Sequence, residues 1–270
     1  MITDITIGQY FPGKSFIHRL DPRIKIILTI VYIVILFINQ GVFGFVLSIG
    51  LLAVMYLIAR IPIRMILKSL KPVIPLIIFT SVLNIFFIGG TVIWQWGIIT
   101  ISWEGIRLAV FMSIRILALI AGSSLLTYTT SPIALTDAIE RLLKPLKYVK
   151  FPVHELAMMM TIALRFIPTL LEETDKIMSA QKARGADLES GGLIQRAKAL
   201  IPILIPLFIS AIRRAEELAL AMECRCYRGG EGRTRMKQLH LGGRDAVAVG
   251  VMAACLAGVI LMNLFLPTVL

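Results

Sequence analysis

Two long stretches without a charged residue constrain this chain more than any other feature of its sequence. No Asp, Glu, Lys or Arg occurs in residues 26–59, a run of 34 residues, or in residues 72–103. Because about 20 apolar residues cross a bilayer as a helix, the first run is long enough for two spans. Asn39-Gln40-Gly41 supplies a turn between them. The second run holds a third span, which ends in the aromatic interfacial loop Trp94-Gln95-Trp96-Gly97.

Two further apolar segments complete the predicted set of spans. A fourth span covers about residues 107–128, with Arg115 inside it, and a fifth covers residues 246–266. The chain of 270 residues is 57 % hydrophobic and has a mean hydropathy of +0.85, which lies outside the range of soluble proteins. We therefore predict an all-α membrane protein with about five transmembrane helices.

The basic residues between the spans predict an orientation. The N-terminus, the second connection and segment 129–152 are rich in lysine and arginine, whereas the alternate connections contain neither. The positive-inside rule then places the N-terminus in the cytoplasm and the C-terminus outside. The net charge of +12 is explained by this topology and by contact with anionic lipid, so no nucleic-acid partner is expected.

Over one hundred residues between the fourth and fifth spans are strongly apolar, although this orientation makes them cytoplasmic. Ser131-Pro132 is a typical helix start and predicts an amphipathic helix that ends near Pro145. Two long helices follow, over about 152–183 and 193–224. The uncharged part of the second, residues 199–212, is only 14 residues long, which is short for a span. The predicted domains are a cytoplasmic segment 1–23, four spans within 24–128, a cytoplasmic or interfacial helical domain 129–244 and a last span within 245–270.

One short pattern occurs twice, at the ends of the two long helices. Ala183-Arg184-Gly185 and Cys224-Arg225-Cys226 each place an arginine between two small residues, 41 positions apart. A cation is favourable at the C-terminus of a helix, and small neighbours let the backbone of a partner approach closely. An arginine fork also bridges carboxylates and carbonyls better than lysine does. We therefore predict that both tripeptides dock onto partner proteins, with Asp187 and Glu223 as orienting neighbours.

Arg115 leaves two interpretations open. It is the one basic residue inside a predicted span, and charges at such depth are usually functional or internally paired. Its guanidinium either contacts the cytoplasmic helices or a partner, or it lies about two turns from a membrane surface and snorkels towards it. Under the first interpretation it supports the predicted docking site.

Residues 8–15 formally match the phosphate-binding pattern G-x-x-x-x-G-K-S. That loop needs a strand before it and a helix after it. Here Asp21-Pro22 comes too soon for a supporting helix, and no parallel sheet is predicted. The match is therefore interpreted as accidental, and no nucleotide site is expected in this chain.

The cysteines, histidines and carboxylates do not form a predicted site either. Cys224-x-Cys226 is half a zinc site at most, because the nearest histidine, His240, stands alone. The paired carboxylates Glu172-Glu173 and Glu216-Glu217 adjoin basic residues, which favours a solvated or ion-paired face. We predict no catalytic residue, no metal site and no cofactor bound by this chain.

Several stretches of the sequence resemble the T component of energy-coupling factor (ECF) transporters, the EcfT family with its cobalt-system relative CbiQ. The resemblance covers nearly the whole chain and includes both arginine motifs, for which the family pattern is often Ala-Arg-Gly. The stretches are residues 8–23, 126–132, 163–168, 180–187 and 221–230. The second motif departs from the pattern, because cysteine stands on both sides of Arg225. Both cysteines are small, so docking is expected to survive.

The resemblance implies a non-catalytic subunit of an ATP-driven transporter in a bacterial or archaeal plasma membrane. Two ATP-binding-cassette (ABC) ATPases of the EcfA and EcfA′ kind would hold the arginine tips, and ATP and magnesium would be used by those partners. Closure of the ATPase dimer would pull the tips together. Domain 129–244 would be a coupling domain with two long crossing helices. Their apolar faces, 158–167 and 201–209, would tilt a small membrane-embedded S component that releases a vitamin or metal ion inside.

Three other classes of membrane protein fit the sequence less well. A channel or secondary transporter needs polar residues near the midplane of its spans, where Arg115 is nearly alone. A membrane enzyme needs clustered His, Asp or Ser at membrane depth, which is not seen. A conventional ABC permease would form the translocation path itself and normally uses a different coupling-loop pattern.

Overall fold

The computed structural model describes residues 10–89, 91–96, 99–149, 151–186, 192–229 and 239–265. These residues form nine α-helices, two short 3₁₀ helices (Lys71–Val73 and Lys144–Val149) and one short β-hairpin. The prediction of an all-α membrane fold is confirmed, and the hairpin occupies the region predicted as an aromatic loop. The helices are α1 (Pro22–Ile38), α2 (Val42–Ala59), α3 (Ile63–Leu70), α4 (Ile74–Phe87), α5 (Trp103–Thr129), α6 (Pro132–Leu143), α7 (Val153–Ala183), α8 (Leu193–Cys224) and α9 (Gly243–Phe265). Strands β1 (Val92–Trp96) and β2 (Ile99–Ser102) pair antiparallel, with Trp96 opposite Ile99.

Within the described residues, five helices are long and apolar enough to cross a membrane. They are α2, the combined helix Ile63–Phe87 formed by α3 and α4, and α5, α7 and α9. The sequence also predicted five spans, but the set differs, because the prediction used α1 in place of α7. With 17 residues, α1 is only about 25 Å long. By contrast α7 has 31 residues and is the least apolar of the five.

The chain divides into two compact units. Among the described residues, one unit, named the bundle here, contains residues 10–135 and 239–265, and the other, the long-helix unit, contains residues 136–229. In the bundle, α1, α2, α5 and α9 pack around a core whose innermost side chains include Ile35, Leu36 and Val259, each 0 % exposed. The long-helix unit contains α7 and α8, which carry the two arginine motifs.

Buried tyrosines join the helices of the bundle through backbone carbonyls. The hydroxyl of Tyr56 in α2 donates to the carbonyl of Ala121 in α5 at 2.7 Å. The hydroxyl of Tyr128 in α5 donates to the carbonyl of Met65 in α3 at 2.9 Å. Because a hydroxyl in an apolar interior is costly without a partner, these bonds fix which helix faces meet.

A buried lysine joins three segments at one end of the bundle. Lys25 of α1 is only 6 % exposed. Its ammonium donates to the carbonyl of His18 at 3.1 Å and to the carbonyl of Thr129 at 2.8 Å. A third, longer contact of 3.4 Å reaches the Thr130 hydroxyl. The charge therefore ties α1 both to the segment that precedes it and to the last residue of α5.

Asp245 ties α9 to the same end of the bundle. Its Oδ1 accepts the backbone N–H of Asp21 at 2.9 Å, and its Oδ2 accepts the N–H of Gly242 at 2.8 Å. Asp21 is itself the N-cap of α1, where its carboxylate accepts the N–H of Arg23 and pairs with that guanidinium at 2.7 Å. Helices α1 and α9 thus begin at one level and run parallel.

Arg115 marks the level at which α1 ends. The guanidinium of Arg115 in α5 donates to the carbonyl of Asn39, directly after α1, at 2.9 Å. Asn39 lies fourteen residues after Lys25, and Arg115 lies fourteen residues before Thr129, so this contact and the Lys25–Thr129 bond join α1 to the antiparallel α5 at two levels. The same guanidinium lies 5.4 Å from the ring centre of Phe45 at the start of α2. A cation at this position satisfies a carbonyl at the C-terminal end of α1. Arg115 therefore caps the turn between α1 and α2, a role that neither sequence interpretation included.

Replacing Lys25 with methionine should lower the unfolding free energy of the protein by about 2 kcal/mol or more. The two carbonyls that it satisfies would be left buried without a donor. The midpoint of thermal unfolding in mild detergent measures the effect, with Lys71→Met at an exposed lysine as the control. Equal midpoints for the two variants would contradict the role assigned to Lys25.

Candidate partner-docking site

The first arginine motif forms a complete Schellman cap at the C-terminus of α7. Arg184 is the capping residue, and Gly185 follows in the left-handed conformation with φ of 85°. The N–H of Gly185 donates to the carbonyl of Lys182 at 3.0 Å, and the N–H of Ala186 donates to that of Gln181 at 3.0 Å. These are the two hydrogen bonds that define the motif. The backbone around Arg184 is therefore held rigidly although it lies at a helix end.

The second motif has the same backbone geometry at the C-terminus of α8. Arg225 is the capping residue, and Cys226 follows with φ of 55°. The N–H of Cys226 donates to the carbonyl of Glu223 at 2.8 Å, and the N–H of Tyr227 donates to that of Met222 at 3.0 Å. The two tips thus present their arginines from equivalent positions of one structural motif.

The small residue after each arginine has a local explanation that the sequence analysis missed. It stands at the left-handed position of the cap, which glycine adopts freely and which costs a residue with a Cβ roughly 1 kcal/mol. At Gly185 a Cβ would meet no atom of the described chain within 4 Å, so backbone conformation and not internal crowding selects glycine there. Cys226 accepts the strain that Gly185 avoids.

Both arginines are exposed, and no ion pair involves either of them among the described residues. Ala183 and Cys224, the residues before them, are the last residues of their helices and are also exposed. Glu223 contributes its backbone carbonyl to the second cap. Asp187, predicted as its counterpart, lies outside the described residues.

Helices α7 and α8 pack against each other in antiparallel directions. Near the middle of the pair, the Ser210 hydroxyl donates to the carboxylate of Glu173. Gln181 donates to the carbonyl of Pro202 at 3.4 Å. Gln181 lies eight residues after Glu173 in α7, whereas Pro202 lies eight residues before Ser210 in α8, so the two helices run in opposite directions. An antiparallel pair places the C-termini of its helices at opposite ends, so the two arginine tips point away from each other along the pair.

One ion pair connects equivalent positions of the two helices. Glu173 accepts from Arg214 at 2.8 Å. Glu173 lies eleven residues before Arg184, and Arg214 lies eleven residues before Arg225. At 1.5 Å per residue, each tip is therefore about 16 Å along its helix from this contact. The pair has an approximate two-fold arrangement, with the Glu173–Arg214 contact near its centre.

The Glu173–Arg214 contact was not predicted, although the sequence contains a signal for it. Glu173 and Arg214 are 41 residues apart, the same spacing as the two arginine tips. Glu173 was interpreted as one of a pair of carboxylates on a solvated or ion-paired face, and the structure supports the ion pair. The spacing alone could have suggested that α7 and α8 are equivalent elements about a common centre.

The outer face of α8 is apolar and open. Leu204 is 57 % exposed and Phe208 is 68 % exposed, whereas Ile203, about 100–140° around the helix from them, is 4 % exposed. On α7, Met159 is 58 % exposed. The faces predicted at 158–167 and 201–209 are thus accessible within the long-helix unit, and such a surface requires lipid or a partner to cover it.

The described residues gather no group of three or more His, Cys, Asp or Glu side chains that could hold a metal ion. Cys224 and Cys226 are free and exposed thiols, and Cys255 is free and buried. The predicted tips consist of arginine and small residues, a set suited to binding and without a nucleophile–base pair.

The fold defines a multi-pass helical membrane protein, and comparison with known proteins places it among transporter components. Residues 13–236 match the CbiQ family, described as cobalt transport protein. The chain is 58 % identical over 263 residues to the energy-coupling factor transporter transmembrane protein EcfT of Ruminiclostridium cellulolyticum, covering 97 % of this chain and 98 % of that protein. It is 48 % identical over 261 residues to the EcfT of Bacillus subtilis, covering 95 % and 98 % of the two chains.

This chain belongs to the EcfT family, the transmembrane component of energy-coupling factor transporters. The resemblance inferred from the sequence is thereby confirmed. As a membrane component of a transporter, the chain is a non-catalytic subunit.

Replacing Cys226 with glycine should strengthen the second cap by about 0.5–1 kcal/mol, because glycine removes the left-handed strain. Hydrogen exchange of the Tyr227 amide, which donates across the cap, should then slow several-fold. The matched control is Cys224→Gly, which places glycine inside the helix and should speed the same exchange. Faster exchange in Cys226→Gly would contradict the strain argument.

Proposed function

We propose that this chain is the coupling subunit of its transporter, and that it transmits movement from two ABC ATPases to a substrate-binding S component. The observation that carries the proposal is the pair of exposed, rigid arginine caps at opposite ends of α7 and α8. Under this proposal each cap docks onto one ATPase, with Arg184 and Arg225 donating to carboxylates and carbonyls of its surface.

The construction of the helix pair supports this role. Rigid helices transmit displacement along their length, and here they are linked by the Glu173–Arg214 contact at about equal distances from both tips. ATP binding that brings the ATPases together would move both tips towards each other. The helices would then turn about their crossing, and ATP and magnesium would remain with the ATPases.

The apolar face of α8, with that of α7, is the proposed seat of the S component. Leu204, Phe208 and Ile212 follow one another at helical spacing, and each is 44–68 % exposed. A membrane-embedded partner would bury this face without exposing it to water. The cargo would be a vitamin or a metal ion, and it would be bound by the S component and not by this chain.

The proposed orientation has a cytoplasmic N-terminus and an external C-terminus, with residues 129–244 forming the coupling domain at the cytoplasmic membrane surface. It rests on the distribution of lysine and arginine among the connections. Both arginine tips then lie on the side of the membrane where ATP is available.

Reversing the charge at both tips should abolish ATPase binding. In co-purification with the two ABC ATPases of the same organism, Arg184→Glu/Arg225→Glu should lose both ATPases. Each single variant should lose one, because each tip holds a different ATPase. The chain itself should keep its unfolding midpoint in detergent, since both side chains are exposed.

The matched control for this experiment reverses two exposed charges on the same helices away from the tips, Lys176→Glu/Arg213→Glu. It changes the net charge by the same amount and should retain both ATPases. Equal retention by the tip variant and the control, or equal loss, would show that the caps are not the docking residues.

Placing a charge on the outer face of α8 should release the S component and spare the ATPases. Phe208→Asp introduces a carboxylate in the middle of the exposed apolar face, where a partner would have to desolvate it. Co-purification with a co-expressed S component measures the loss. Ile194→Asp, at an exposed apolar residue near the start of α8, is the control. Retention of the S component by Phe208→Asp would place its seat elsewhere.

A further inference from the structure

A groove of about 280 Å³ opens between α1, α2, α5 and α9 of the bundle. Its walls are mainly aliphatic and include Leu28, Leu52 and Met252. Three side chains at its opening, Phe16, Val54 and Ile58, are 39–51 % exposed. The groove belongs to one unit of the chain and is separate from the arginine tips.

The few polar side chains along the groove are already satisfied by the protein. The ammonium of Lys25 donates to backbone carbonyls, and the hydroxyls of Thr29 and Thr129 donate to the carbonyls one turn earlier, each at 2.8 Å. The hydroxyl of Tyr32 contacts the Ser48 carbonyl at 3.4 Å. Water is held in a cavity by two to four polar partners, which this groove does not offer. Its surface therefore favours an apolar occupant.

The groove extends about two helical turns into the bundle. Its lining runs from Lys25 to Tyr32 in α1, from Ile58 to Leu51 in α2 and from Thr129 to Gly122 in α5. Each of these stretches advances seven residues, or about 10 Å. All three stretches begin at the end of the bundle where His18 lies, so the groove runs along the helices and is deeper than a surface depression.

A second cavity of about 460 Å³ adjoins the opening of the groove and has a different character. It shares Phe16 and Ile58 with the groove, and it is also lined by Lys14 and Arg60. Neither cation has an ion pair among the described residues. Two exposed positive charges thus lie at the opening of the apolar groove. An anionic headgroup with an attached hydrocarbon chain complements this arrangement.

The loop that carries Lys14 is held in a defined shape by His18. The Nε2–H of His18 donates to the carbonyl of Phe11 at 3.0 Å, which leaves Nδ1 to accept from the Ser15 hydroxyl at 2.7 Å. Burial lowers the pKa of His18, which keeps this neutral form at pH 7, although the bond to Phe11 opposes the shift. Gly13 packs so closely on the ring that a Cβ would lie 2.6 Å from it. Lys14 therefore stands on a fixed turn and not on a loose tail.

We propose that the bundle binds one anionic phospholipid, with an acyl chain in the groove and its phosphate between Lys14 and Arg60. The apolar groove accounts for binding of the acyl chain. The two cations, Lys14 and Arg60, account for the preference for a headgroup with a net negative charge over a zwitterionic one. The Gly13-Lys14-Ser15 sequence that imitates a nucleotide-binding loop then binds phosphate in a different context. This proposal is independent of the ATPases and the S component.

Native mass spectrometry of the purified full-length chain, without partners, tests the proposal. The chain is incubated in detergent with equal amounts of palmitoyl-oleoyl phosphatidylglycerol or phosphatidylcholine. Phosphatidylglycerol should be retained as a single tight adduct. Its apparent affinity should fall about tenfold or more in Lys14→Gln/Arg60→Gln. Val54→Trp, which fills the groove without changing charge, should also weaken retention.

The control Arg64→Gln/Lys68→Gln removes the same charge from exposed residues of the neighbouring α3 and should retain the lipid. Inorganic phosphate in excess should not displace the lipid, because the acyl chain of the lipid also contributes to binding. Lys14→Arg/Arg60→Lys should restore retention, which guards against a folding defect in the neutral variant. Equal binding of phosphatidylcholine, equal loss in the control, or displacement by phosphate would each overturn the proposal.

Discussion

The buried ammonium of Lys25 is the interaction on which the arrangement of the bundle depends. An uncompensated charge in an apolar interior is prohibitively costly, so its acceptors must stay in place whenever the protein is folded. Those acceptors come from the N-terminal segment and from the end of α5, and Asp245 brings α9 to the same level. One end of the bundle is thereby determined by polar contacts. The opposite end is closed mainly by Arg115 and by the polar groups around the α1–α2 turn.

Much of the helix pattern was predictable from the sequence because its boundaries are chemically marked. The long helices were expected over 152–183 and 193–224 and were found at Val153–Ala183 and Leu193–Cys224. Charge-free runs likewise located α1, α2 and α4. Which helices cross the membrane was less predictable, because hydropathy does not say whether lipid or protein covers an apolar helix. The strands β1 and β2 were missed because tryptophan and isoleucine favour both membrane interfaces and β-structure.

The sequence predicted the position of the arginine tips but not the backbone conformation that forms them. That Arg184 and Arg225 end their helices followed from small neighbours and a change from apolar to charged sequence. The left-handed conformation of the residue after each arginine was not predicted, because close approach of a partner already accounts for a small side chain there. The capping role of Arg115 could not be found from sequence, because its partner is a backbone carbonyl 76 residues away, and every residue has a carbonyl. Long-range contacts of this kind leave no mark in composition or spacing.

Equal distances on either side of the Glu173–Arg214 contact have a mechanical consequence. In the proposed coupling, forces of the same size that draw the two tips towards each other have no resultant on the helix pair. Each force would instead turn its own helix about the crossing, which would act as a stationary fulcrum, and arms of equal length would make the two helices turn by equal angles. A one-turn insertion in either helix between the contact and the tip would make the arms unequal, so that equal displacements of the tips would turn the two helices by different angles.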